Sequence, residues 1–149
     1  MSPRVKYGLI VGAVIMFVNL CVAAALPICG PMMALLAGAV AGYLTAREEE
    51  PAAAGDGARA GAVSGLIAGA LVFLGQLIGG IGALVFLQTT DIPTGFGAVP
   101  DLTETFGLLG FWVAGLALAL CLGLSGLVLG ALGGAIAGYL AAPSEEAVV

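Results

Sequence analysis

Residues 60–87 read AGAVSGLIAGALVFLGQLIGGIGALVFL and carry no charge. A membrane-spanning helix needs about 20 apolar residues, and Arg59 to Gln88 is about 43 Å of helix, enough for a bilayer with its headgroups. Three more runs of this kind flank it, at 7–26, 32–46 and 105–142. None alternates with period two in blocks of ten, which excludes a transmembrane β-barrel. Helices are then the remaining way to satisfy a backbone in lipid. The expected fold class is all-α, a polytopic transmembrane helix bundle.

Composition agrees. Of 149 residues, 61% are apolar and only 9% charged, and the mean hydropathy is +1.18. A soluble domain carries about 25% charged residues, so this chain lacks the polar atoms for a water-facing surface. There is no histidine, which removes histidine-based triads, histidine-ligated metals and haem attachment. The basic residues are Arg4, Lys6, Arg47 and Arg59, too few for a nucleic-acid footprint. Cys21, Cys29 and Cys121 are odd in number and form no CxxC, so they are expected to be small membrane-buried side chains, without disulfide or zinc.

Topology follows from the charges. Arg4 and Lys6 before an apolar run resemble a signal peptide, but 7–26 exceeds the ~7–15 residues of a signal h-region and is read as a span. Pro27-Ile28-Cys29-Gly30-Pro31 is expected to break the helix. The expected spans are about 7–26, 31–46, 60–88 and 106–142 in one domain, with a cytoplasmic loop at 47–59 and an external loop at 89–104. All four basic residues then fall on one side and none on the other, which places the N-terminus in the cytoplasm. The last run is long enough for two spans broken near Gly123-Leu124-Ser125-Gly126, giving five. Trp112 to Tyr139 is about 40 Å of helix, which fits one span and puts Tyr7, Tyr43 and Tyr139 in one interfacial belt. Four spans with both termini inside is the expectation.

Glycine recurs every fourth residue in three places: Gly57, Gly61, Gly65, Gly69; Gly30, Gly38, Gly42 with Ala34 in the gap; and Gly126, Gly130, Gly134, Gly138. That spacing makes a groove down one helix face and predicts glycine-zipper packing, within the bundle or between copies. Residues 30–46 also echo 126–142, with Ala41-Gly42-Tyr43-Leu44 recurring as Ala137-Gly138-Tyr139-Leu140. Gly38-Ala39-Val40-Ala41-Gly42-Tyr43-Leu44 and the segment from Gly55-Asp56-Gly57 to Gly65-Leu66-Ile67 resemble a family of small, glycine-rich, uncharacterised four-helix membrane proteins of archaea and bacteria, especially halophilic archaea. The resemblance implies a four-helix bundle, no activity and no catalytic residues.

No Asp, Glu, Lys, Arg or His falls within an expected span, so proton relays and carboxylate catalysis lack their groups. Asp56 is read as the N-cap of the third helix. Glu48, Glu49, Glu50 and Asp56 are read as a solvated acidic loop, since EF-hand spacing is absent. The uncharged polar residues Asn19, Gln76, Cys29 and Ser125 fall at similar depth and form a candidate polar layer. Asn19 and Gln76 are expected to meet there, because an amide alone in hydrocarbon is costly. Two function classes remain: a non-catalytic structural or assembly bundle, and a small channel or facilitator for an uncharged solute lined by that layer. The expected partners are the lipid bilayer and a second copy or larger membrane complex, with no cofactor, metal or nucleic acid.

Overall fold

The computed structural model describes residues 1–23, 29–89 and 99–143. They form four helices: α1 (Pro3–Ala23), α2 (Cys29–Glu49), α3 (Ala54–Thr89) and α4 (Val99–Ala141). All four are long and apolar enough to cross a membrane. Pro27 and most of the expected external loop, residues 90–98, lie outside the described residues.

The helix ends differ from expectation for local reasons. α1 already begins at Pro3, since a proline N–H would be orphaned in the first turn anyway, and the Ser2 carbonyl accepts from Val5 and Lys6. Pro31 does not break α2. It is the third residue of a helix that starts at Cys29, where its missing N–H costs nothing. α2 ends at Glu49; Glu50, just beyond it, adopts φ 45° and donates its N–H to the Ala46 carbonyl at 3.1 Å, and Pro51 then prevents continuation. α3 starts at Ala54, so Asp56 lies inside its first turn and is not the N-cap. The carboxylate still sits at the positive end of the helix dipole. Val99 to Phe106 is helical, and Gly107 (φ 69°, ψ 165°) separates it from the long apolar stretch of α4. That stretch, Leu109–Ala141, continues through Gly123 and Gly126 as one helix, which supports four spans over five.

α1 packs on α2 and α3, and α4 packs on α2 and α3; among the described residues α1 and α4 do not touch. Around the bundle the order is therefore α1, α2, α4, α3, with α2 and α3 closing the short diagonal. Arg4 pairs with Glu49 at 2.9 Å and Lys6 with Glu48 at 3.1 Å, so α1 and α2 run antiparallel. α1 and α3 are parallel: a Cβ on Gly8 would lie 2.9 Å from the Ser64 carbonyl, and one on Gly12 2.8 Å from the Ala68 Cα.

The closest approaches involve α4. A Cβ on Gly38 would fall on the Gly130 carbonyl, and one on Gly42 on the Gly134 carbonyl, so α2 and α4 are parallel. α3 meets α4 antiparallel, with Gly57 at Gly138, Gly61 at Gly134 and Gly65 at Gly130. Gly69 and Gly126 end their ladders in looser contact, their nearest neighbours at 3.5 Å and 3.4 Å. The two echoing segments thus lie side by side, one helical turn out of the echo's own register. Exchanging α1 with α3 and α2 with α4 is not a rotation of this bundle, so the echo is not a two-fold repeat of hairpins.

The interior is built from small residues. Ala34, Ala37, Ala41, Ala60 and Ala68 are buried, and the largest fully buried apolar side chain is Val72. The bulky side chains point outward: Phe17 on α1, Leu36 and Val40 on α2, and Val128, Leu132 and Ile136 on α4 are all exposed. This reverses the arrangement of a soluble domain and suits a lipid surround, where burying leucine gains nothing and close backbones gain van der Waals contact.

Gly61→Ala and Gly65→Ala should each lower the thermal midpoint in detergent, by an overpacking cost of about 1–3 kcal/mol. Gly69→Ala should be tolerated, and Gly82→Ala, with open space at its Cβ, should cause no loss. Equal losses at all four positions would contradict the packing. Glu50→Gly should raise the midpoint, because a left-handed residue without a Cβ is relieved of roughly 1–2 kcal/mol.

Candidate functional site

Of the four residues of the expected polar layer, the structure joins two. Asn19 on α1 is 0% exposed and Gln76 on α3 is 3% exposed. The Asn19 Nδ2 donates to Gln76 Oε1 at 3.2 Å and to the Val72 carbonyl at 3.4 Å. The parallel register of α1 and α3, held below by Gly8 and Gly12, brings the amides level. Asn19 Oδ1 is buried and without a partner among the described residues.

α2 completes the site with a glycine that sequence reasoning took only for part of a ladder. A Cβ on Gly30 would lie 2.8 Å from Gln76 Cδ and would collide with Oε1, so the carboxamide occupies the space a side chain there would need. Three helices therefore meet at one hydrogen-bonded pair. Buried hydrogen bonds of this kind between membrane helices contribute about 0.6 kcal/mol on average, and they also fix register.

Ser125 does not belong to the layer. It is exposed, and its Oγ donates to the Leu122 carbonyl of its own helix at 2.8 Å. A hydroxyl can satisfy its one donor in this way on a lipid-facing surface, whereas a carboxamide, with two N–H donors and a carbonyl, is left with groups unmet. Cys29 is half-buried and Cys121 exposed, and both are free thiols. The side chain of Cys21 lies outside the described residues. Thr45 and Ser64 are fully buried polar residues that the sequence reading passed over. Each bonds back to its own helix, Thr45 to Ala41 at 2.8 Å and Ser64 to Gly61 at 3.0 Å. Nothing in their spacing distinguishes them from a lipid-facing hydroxyl.

At the charged end, Arg4 Nε lies 3.0 Å from both carboxylate oxygens of Glu49, and Lys6 Nζ reaches Glu48 while lying 4.8 Å from the centre of the Tyr7 ring. Two of the residues expected in a solvated acidic loop thus hold α1 against α2. Arg47 lies over Tyr43 at 5.9 Å. Among the described residues no group of three His, Cys, Asp or Glu is placed to hold a metal ion. Chemically the site is a neutral amide pair in an apolar surround, able to order helices and to hydrogen-bond one more small donor at Asn19 Oδ1.

No family model matches the chain, and no curated protein or solved structure matches it.

Asn19→Leu and Gln76→Leu should each lower the thermal midpoint, and the double variant should lose less than the sum. The expected coupling is about 0.6 kcal/mol, with an upper bound near 1.7 kcal/mol. Strict additivity would mean that the two amides do not interact.

Proposed function

We propose that this chain is a non-catalytic structural or assembly bundle of the cell membrane, multi-pass with the N-terminus in the cytoplasm, held together by a glycine zipper. One observation carries the reading: the ladder glycines Gly38, Gly42, Gly57, Gly61 and Gly65 are occupied by α4 of the same chain, and the outward faces are lined mainly by bulky apolar side chains. A homo-oligomer or larger complex would have to use those faces. The likeness of residues 38–44 and 55–67 to small four-helix membrane proteins supports the same assignment. The basic residues, all at the end that carries Tyr7, Tyr43 and Tyr139, support a cytoplasmic N-terminus.

The channel reading draws on one specific observation, the unpartnered Asn19 Oδ1. Against it, Asn19 and Gln76 are spent on each other and sealed by Gly30.

Purified protein in liposomes should pass urea, glycerol and water no faster than empty liposomes. Flux that disappears in Asn19→Leu would overturn the structural reading in favour of a facilitator. A C-terminal alkaline-phosphatase fusion should be inactive, because that enzyme folds only outside the cytoplasm; an active fusion would contradict the four-span topology.

A further inference from the structure

The two hairpins have different heights. On α1, Lys6 to Ala23 is about 26 Å of helix, and on α2, Arg47 to Cys29 is about 27 Å, close to the ~30 Å hydrocarbon core. On α3, Arg59 to Phe86 is about 40 Å, and on α4, Tyr139 to Leu109 is about 45 Å.

The extra length lies at one end. The charged ends are level, because Gly8 of α1 meets Ser64 of α3, and Gly42 of α2 and Gly61 of α3 both meet Gly134 of α4. The far ends are not. Asn19 and Gly30 both sit beside Gln76; α1 runs four residues past Asn19 to Ala23, whereas α3 runs thirteen past Gln76 to Thr89, about 14 Å further. This overshoot is a packed two-helix wall, with Gly80 at Ala119 and Gly115 at Leu84. Its surface is apolar: Ile78, Ile81, Phe86, Leu109 and Val113 are all exposed.

Tilt cannot remove the step. The helices are packed in one bundle, so tilting shortens both hairpins by the same factor. At about 40°, the upper end of tilts found for membrane helices, the tall wall projects about 31–34 Å and the short one about 20 Å. Upright, they project about 40–45 Å and 26 Å. No angle brings both to the thickness of a uniform bilayer.

Resting on the membrane reading above, we infer that the bundle is a two-height wedge whose tall α3–α4 wall is a contact surface for long-chain lipid. The bilayer stretches beside α3 and α4 and thins beside α1 and α2. Exposed leucine, isoleucine and phenylalanine fit acyl chains, and each ångström of mismatch costs a fraction of a kcal/mol, so a step this large selects among lipids by chain length.

The test uses the whole protein in phosphatidylcholine vesicles with monounsaturated chains of fourteen to twenty-two carbons. Trp112, the single tryptophan, sits on the tall wall and reports its surroundings. The thermal midpoint should keep rising beyond eighteen carbons, and Trp112 emission should move to shorter wavelength as the chains lengthen. Ile81→Ser with Val113→Ser, both at exposed positions, should shorten the wall and bring the optimum back toward eighteen carbons. A midpoint that peaks at sixteen to eighteen carbons with unchanged Trp112 emission would overturn the inference. So would a cross-linked dimer formed through Val113 at every chain length, which would assign the wall to a second copy. Solute flux in the same vesicles would count against the structural function and leave the chain-length response standing.

Discussion

Inside a bilayer no hydrophobic force draws one helix to another, because lipid tails are as apolar as leucine. What remains is contact, and contact at backbone distance requires that there be no side chain in the way. In this chain that requirement is met along α4, where Gly130 and Gly134 are approached on one side by Gly38 and Gly42 of α2 and on the other by Gly61 and Gly65 of α3. Three helices share one set of glycines, so a Cβ at Gly130 would disturb both seams together, lying 3.0 Å from the Gly65 carbonyl of α3 and 3.3 Å from the Ala34 carbonyl of α2.

The rest of the architecture depends on that seam. With α2 and α3 fixed against α4, α1 packs on the remaining faces of α2 and α3 and, among the described residues, does not reach α4. It is held at three levels: the Arg4 and Lys6 ion pairs at the charged end, Gly8 and Gly12 along α3, and the Asn19–Gln76 amides near the far end. The Lys6–Glu48 pair is exposed and contributes little net stability, and the Arg4–Glu49 pair is only partly buried, whereas the amide pair is dry and specifies which turn of α3 meets α1. The same seam sets the step between the hairpins. α4 is one unbroken helix from Leu109, and α3 follows it, while α2 begins only at the level of Gln76.

Much of this was legible in the sequence, and the reasons are specific. The uncharged runs announced four spans because membrane insertion reads hydropathy over about 20 residues, a scale at which local detail averages out. The Asn19–Gln76 contact was legible because an amide in hydrocarbon has few ways to be satisfied. Ser125 misled, because a hydroxyl can bond to the preceding turn and so carries no information about neighbours. The start of α2 near Pro31 was legible, because a proline in the first turn of a helix signals a start; the helix begins two residues earlier, at Cys29. The ladders predicted close packing but not the partners; the offset between α2 and α4 is set by three helices competing for one face, which no single segment encodes. The function was the least legible, since a bundle without charged groups in its spans presents geometry in place of chemistry.

The central claim is that glycines of different helices touch. Solid-state NMR on protein labelled only at glycine, in lipid and without any substitution, measures this directly. The account predicts carbon–carbon cross peaks joining Gly38 to Gly130, Gly42 to Gly134, Gly61 to Gly134 and Gly65 to Gly130. Cross peaks confined to glycines one turn apart on the same helix would contradict it.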